Sequence, residues 1–286
     1  MQRIASRLAH AATPPWLHQE AARRMAERLS VVKRQPATVI DWSGHAGAGH
    51  EALAGVYPQA RQLAVEPDAA AREAHRSRAR APWWSPRRWR DAAREVLLPD
   101  EVPAAAGELL WANMTLHLDP DPPAQMARWH RALAADGFLM FTTLGPGTLE
   151  SLAALYRQAG WPPAFAPFVD MHDLGDMLVE AGFADPVMDQ EMLTLTWSDA
   201  DALLDELRSL GGNAHPARHA GLRTPRWRAV LRDRLATTAA ADGRPRLQFE
   251  LVYGHAFRVA RGPRVAEQTT VPLDEMRAMM RRARGA

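Results

Sequence analysis

The sequence contains no cysteine. That absence excludes disulfides, thiolate metal sites and cysteine nucleophiles together. Lysine is almost missing too: Lys33 is the only one among 35 basic residues, and the rest are arginine. Guanidinium groups stay charged to very high pH, so the isoelectric point near 9.5 reflects arginine chemistry. The formal charge is only +2, close to neutral. No apolar run approaches the roughly 18 residues of a membrane span. The opening "MQRIASRLAHAATPPWL" has early arginines but no continuous apolar stretch after them, which argues against a secretory signal. With 47% apolar and 24% charged residues, the composition is that of an ordinary globular chain. A cytoplasmic enzyme or binding protein is the expectation, with no membrane partner.

One basic cluster stands out, "PWWSPRRWRDAAR" at residues 82–94. Arginines interleaved with tryptophans can stack on bases and grip phosphates. Near-neutral charge and the lack of a nucleic-acid motif weigh against nucleic acid as a partner. The favoured expectation is that at least one of Trp83, Trp84 and Trp89 packs inward at the edge of a ligand cleft, under a cover of arginines. The pair His215 and His219 has helical metal-ligand spacing, but Pro216 stands between them and no acidic third ligand is near, so no metal site is expected.

The hydrophobic pattern is that of an α/β protein. Residues 16–34 carry apolar residues at helical spacing and end before Gln35-Pro36. "ATVIDW" reads as a buried strand, residues 48–57 as a helix, "ARQLAVEP" as a strand and "DAAAREAHRSRARA" as a helix. "GELLWAN" follows as a strand. Next comes a helix from Asp121 as N-cap to Gly137, and then the strand "GFLMFTTLG". Later segments add helices in 147–160, 171–182, 198–212 and 226–241, the extended pair "DPVMDQE" and "MLTLTW", and the strand "RLQFELVYGHAFRVA". Strands alternating with helices predict a Rossmann-like, mostly parallel sheet of about seven strands, helices on both faces and an antiparallel edge hairpin.

Within that frame three features fall at the carboxyl ends of successive strands. The loop after "VID" runs "WSGHAGAG", with Gly44, Gly47 and Gly49. Glu66 closes the second strand, where a carboxylate can accept ribose hydroxyls. Asn113 closes "LLWAN". In open α/β sheets ligands bind at these strand ends.

The order Asp41-loop-Gly47, Glu66, "LLWANMTLHLDPDPPAQMARWHRALAADGFLMFTTLGPGTLESL" and "FVDMHDLGDMLVEAGFADPVMD" resembles the class I S-adenosylmethionine-dependent methyltransferases. Within them it is most similar to the BioC type, the malonyl-acyl-carrier-protein O-methyltransferases of biotin synthesis. The resemblance covers residues 16 to about 260. It implies S-adenosylmethionine as cofactor, acyl carrier protein as partner, and cofactor contacts from Asp41, Gly44, Gly47, Glu66 and Asn113. His117, His172 and Tyr253 are the candidate substrate contacts. It also implies an N-terminal helical segment, 1–37, over the cleft of a methyltransferase-like domain, 38–286, with helical insertions near 147–182 and 198–240. The family's first motif is acidic-x-Gly-x-Gly-x-Gly. Here Ser43 and His45 replace its first two glycines, the acid that often holds the adenine amine has no counterpart in "PWWSPRRWRD", and "RLAHAATPPW" lacks the usual tyrosine. Transfer of a methyl group to a carboxylate needs no general base, because the acceptor is already ionised. The alternative is a methyltransferase scaffold whose cofactor site has decayed and which binds or regulates instead.

Overall fold

The computed structural model describes residues 4, 7, 8, 10–79, 95–237, 239 and 243–260. The expectation for Trp83, Trp84 and Trp89 lies outside them. Seven strands form one sheet: β1 (Thr38–Trp42), β2 (Arg61–Val65), β3 (Glu95–Leu97), β4 (Gly107–Asn113), β5 (Leu133–Leu144), β6 (Ala184–Thr196) and β7 (Arg246–Phe257). Their spatial order is β3-β2-β1-β4-β5-β7-β6. The first five pair in parallel. β7 runs antiparallel to both β5 and β6, which makes the expected antiparallel edge.

Alternation along the strands fills two cores. Val39, Leu109, Trp111 and Phe138 point to one face of the sheet, where Leu17, Ala21, Met25 and Leu29 of α1 (Trp16–Leu29) and Leu53 of α2 (Gly49–Val56) cover them. Ile40, Trp42, Leu110, Ala112 and Phe141 point to the other face. There they meet Met126 and Trp129 of α4 (Pro122–Ala132) and Leu174 and Leu178 of α6 (Met171–Glu180). The remaining described helices are α3 (Ala69–Ala79), α5 (Glu150–Gln158), α7 (Ala200–Ser209) and α8 (Pro225–Ala236). Charged ties reinforce the packing of α1: Arg24 and Arg28 both reach Glu191 on β6, and Arg28 lies 2.9 Å from Asp189. Among the described residues no helix is long and apolar enough to cross a membrane.

Three details depart from the sequence expectation. The pair "DPVMDQE" and "MLTLTW" is one continuous strand, β6, because pairing with β7 continues without a break from Val187 to Thr196, past a register shift between Ala184 and Val187. α4 starts at the expected cap, with Asp121 accepting from Ala124 N–H, but it ends at Ala132. Gly137 instead lies within β5, where a Cβ would come within 2.9 Å of Ala134 O. α1 stops at Leu29 rather than reaching residue 34, since the Ser30 hydroxyl donates to Glu27 O and two β-branched valines follow.

Gly254 is the tightest point of the sheet. It pairs with Phe141 across β5 and β7, and a Cβ there would overlap the Phe141 ring. Gly254→Ala should therefore cost about 3 kcal/mol, the upper part of the range for overpacking a core. Phe141→Leu in the same chain should recover part of that loss. Urea midpoints of the two single variants and the double variant measure the coupling, and strict additivity would contradict the contact.

Candidate active site

The loop after β1 explains which glycines the chain can do without. Ser43 has φ 60° and Ala48 φ 53°, so the left-handed positions of this turn are carried by two non-glycine residues. The turn does not rest on Gly44 and Gly47, neither of which has positive φ. Ser43 N–H donates to Val65 O at 2.7 Å and Gly47 N–H to Ser43 O at 2.8 Å, which holds the strained residue in place. His45 is not left-handed, so a side chain there carries no backbone penalty. Gly47 is different. A Cβ on it would lie 3.0 Å from Asn113 O and 3.2 Å from Ser43 O, so a larger residue would have to push the loop or the end of β4 by a few tenths of an ångström. At Gly49, the start of α2, a Cβ would run into the Asp41 carboxylate and come within 2.8 Å of Trp111 Nε1.

The imidazole of His45 turns toward the N-terminal segment, with Nε2 2.8 Å from Ala11 O. Arg78 also donates to Ala11 O, at 3.3 Å. His45 and Gly44 thus form a wall of a cleft of about 900 Å³ that runs between α1 and α2 and also takes in His75 and Arg78.

Behind His45 and His75, Glu66 is completely buried and lines neither this cleft nor the second cavity described below. Its Oε1 accepts from His45 N–H at 3.1 Å and from His75 Nδ1 at 2.6 Å. Its Oε2 has no hydrogen-bond partner among the described residues. A buried carboxylate oxygen left without a donor is costly unless a ligand supplies one. Asp41 is also fully buried, against the start of α2. Asn113 donates through Nδ2 to both His18 O (2.7 Å) and Gly47 O (2.6 Å), while its Oδ1 accepts from the Thr142 hydroxyl. The structure therefore gathers Asp41, Gly44, Gly47, Glu66 and Asn113 around one loop.

A second cavity, of about 530 Å³, opens on the other side of α1. Its lining is largely apolar and aromatic, including Phe165, Phe168, Tyr156 and Trp227, with His18 and His117 and three arginines, Arg208, Arg223 and Arg228. Burial lowers His18 to about 4, against the opposing pull of its bond to Ala46 O. Burial, and secondarily the neighbouring His18, lower His117 to about 3. Both rings are neutral near pH 7, and His18 presents Nδ1–H to Ala46 O at 2.7 Å.

Of the candidate substrate contacts only His117 lines this cavity. His172 is exposed at the start of α6, where Asp170 accepts from both its N–H and its Nδ1. Tyr253 is buried on β7 beneath the Arg28 guanidinium, 3.6 Å from the ring centroid, and lines neither cavity. Sequence reasoning singles out neither His18 nor His75. Both carried a signal: His18 shares the apolar face of α1 with Ala21, Ala22 and Met25, and His75 follows Glu66 on the next helix.

Two outcomes follow for the loop and the histidines. Ser43→Gly should stabilise the fold by about 0.5–1 kcal/mol through relief of the left-handed strain, while Gly47→Ala should lower the melting midpoint by pushing the loop from β4. A Gly47→Ala protein as stable as the parent would contradict the close approach. His18 and His117 have folded pKa values below their unfolded value of 6.5. The unfolded chain then binds protons that the folded chain refuses. Stability is therefore full above pH 6.5 and declines as pH falls toward 4. Denaturant midpoints measured from pH 7.5 to 4.5 should fall on the acid side, less so in His18→Gln.

Comparison with known proteins agrees with this fold. No protein-family model matches the chain. It is 37% identical over 256 residues to a malonyl-(acyl-carrier protein) O-methyltransferase of Gallionella capsiferriformans, covering 87% of this chain and 86% of that protein. The enzyme of the same name from Halorhodospira halophila is 35% identical over 278 residues, with 94% and 90% covered. Among solved structures, the YcgJ protein of Bacillus subtilis superposes with a TM-score of 0.57 at 11% identity, covering 84% of this chain and 99% of that one. A putative methyltransferase from Bacillus halodurans gives 0.54 at 12%, over 83% and 98%. At such identities the two structures speak to the fold alone. The sequence relatives go further, and the chain belongs to the malonyl-(acyl-carrier protein) O-methyltransferase family.

Proposed function

We propose that this protein is an S-adenosylmethionine-dependent O-methyltransferase that esterifies the free carboxylate of a malonyl group on acyl carrier protein, a step of biotin synthesis. The observation that carries the reading is Glu66 Oε2, a buried acceptor without a partner beside a loop that glycine lets approach β4. The residues present fit the cofactor: Glu66 would take the ribose, the loop from Asp41 to Gly47 and the end of β4 at Asn113 would hold the methionine part. The helical segment before β1 would close over it, as Ala11 already does toward His45 and Arg78.

When bound, the cofactor supplies a methyl group on a sulfonium, which an acceptor carboxylate oxygen displaces in line to give an ester and a thioether. The chain's own contribution is to orient and desolvate the acceptor, and good alignment alone supplies about 7–11 kcal/mol. The second cavity suits that task, with aromatic walls to exclude water. His18 and His117 are neutral and cannot balance the acceptor's charge, so an arginine must. Arg228 is engaged by Asp201 at 2.9 Å and Arg208 by Asp205 at 3.2 Å. Arg223 sits over the Trp227 ring, 4.5 Å from its centroid, with no carboxylate in ion-pairing range among the described residues. We assign it to the acceptor carboxylate.

A specific observation favours the rival scaffold reading. His75 already occupies one Glu66 oxygen, and Asn113 clamps α1 directly to the loop. A melt titration separates the two readings. A ligand that binds only the folded state adds RT ln(1 + [L]/Kd), about 2.7 kcal/mol at a hundredfold excess over Kd. S-adenosylhomocysteine should raise the midpoint of the wild type, and Glu66→Ala should abolish the rise. Arg223→Ala should keep the rise but raise KM for malonyl-acyl carrier protein. No rise at millimolar ligand would establish the scaffold.

A further inference from the structure

We infer that the acyl carrier protein docks on a basic face formed by the loop between α7 and α8 and the first turns of α8, with Arg218 and Arg226 as its charged contacts. The inference rests on the function proposed above and deepens it by naming the surface that receives the partner. A substrate delivered on a tether brings its carrier against the protein where the second cavity meets solvent. Of the residues lining that cavity only Arg208 and Gly212 are exposed. Its mouth therefore lies at the end of α7 and the start of the loop that leads to α8. The far end of the loop returns to the same rim, since Arg223 and Trp227 also belong to the lining.

Charge is unevenly spread here. The whole chain holds 35 basic and 33 acidic residues, yet between Glu206 and Asp233 stand Arg208, Arg218, Arg223, Arg226, Arg228 and Arg232 with no acid among them. Three of these face a carboxylate: Arg208 meets Asp205, and Arg228 and Arg232 share Asp201. Arg218 and Arg226 are exposed and have no carboxylate in ion-pairing range among the described residues. Arg218 donates only to His215 O, at 3.3 Å. Arg226 falls in the first turn of α8, where the helix end is itself positive and no acidic residue opposes it. An anionic partner relieves that arrangement. Apolar surface lies among the charges: Leu222 is 98% exposed between the two arginines, and Val230 shares the Arg226 side of α8 one turn on. Arginines around exposed aliphatic side chains suit an acidic protein face, whereas a nucleic acid asks for outward rings to stack on. The nearest rings, Trp161 and Trp227, pack on each other with centroids 5.2 Å apart.

The experiment measures calorimetric binding of the unacylated carrier protein to the full chain, and methyl transfer to malonyl-acyl carrier protein and to carrier-free malonyl-pantetheine. Reversing rim charges acts mainly on association, so Arg218→Glu with Arg226→Glu should raise the carrier Kd and the KM for the malonyl carrier about tenfold or more. Its kcat and its KM for malonyl-pantetheine should stay at wild-type values. Raising salt from about 0.05 M to about 0.5 M should weaken carrier binding by the wild type and much less by the double variant. Lys33→Glu, an exposed reversal before β1, should leave carrier binding unchanged. Equal carrier binding by wild type and double variant would overturn the inference. So would an equal loss in Lys33→Glu, or an equal rise in KM for both thioesters. Carrier binding that the double variant loses, in a wild type that transfers no methyl group, would keep the docking face and remove the proposed reaction.

Discussion

The Asn113 carboxamide ties together three parts of the chain that are distant in sequence. It donates to His18 O on α1 and to Gly47 O in the loop after β1, and it accepts from the Thr142 hydroxyl on β5. Thr142 in turn accepts from Met114 N–H at 3.0 Å, so the turn that leaves β4 is held by the same group. All of these atoms are buried, and a polar group left without its partner there costs about 1–3 kcal/mol. One side chain thus fixes how near the loop comes to β4 and where α1 lies over both. The two cavities inherit their shapes from that arrangement, because α1 lends Gln19 and Glu20 to one lining and His18 to the other.

The altered glycine motif becomes intelligible within this constraint. A glycine is most needed where another backbone comes close to the position of a Cβ, and Gly47, 3.0 Å from Asn113 O by that measure, is such a place. It is merely favourable where φ is left-handed, as at Ser43, because the strain of about 1–2 kcal/mol can be carried by the surrounding bonds. It is dispensable where neither condition holds, as at His45. The imidazole there has acquired a different use in anchoring Ala11. Loss of two motif glycines is therefore no measure of damage to the loop. The separate question of ligand affinity turns on what the carboxylate and the loop carbonyls have left to offer.

Much of the fold was legible because burial on both faces makes β1, β4 and β5 near-continuous apolar runs, while helical spacing marks the segments between them. The antiparallel edge could be read from the last strand, "RLQFELVYGHAF", since its alternation needs no knowledge of its neighbours. The continuity of β6 could not, because the polar run Asp189-Gln190-Glu191 interrupts the apolar alternation, and only the pairing with β7 carries the strand through it. The end of α4 was hidden for a similar reason: Ala134 to Asp136 have no local preference that overrides helix, and pairing with β4 near Gly107 draws the chain out at Leu133. The places of Glu66 and Asn113 at strand ends were legible from the pattern of the strands. His18 and His75 were not singled out, for their roles lie in partners 28 and 9 residues away. At His172 the neighbouring Asp170 caps α6, a structural use that the local sequence already carried.

The electrostatics of the two histidines bear on the proposed chemistry. Burial keeps His18 and His117 neutral well below neutral pH, so neither acts as a cation toward an anionic acceptor. Neither is needed as a base, since a carboxylate is ionised before it enters. What remains for them is donation and shape: His18 spends Nδ1–H on Ala46 O and so braces the loop from the acceptor side, while His117 packs edge-on against Phe168, with centroids 5.9 Å apart. A largely apolar pocket strengthens the interactions of any charge that does enter. Under the proposed reaction Arg223, one of three arginines in the lining, would select the carboxylate, whereas charged histidines would bind the acceptor well but hold its oxygen lone pairs away from the methyl group. Under the proposed reaction, the lack of titrating groups at the centre is a requirement of the chemistry.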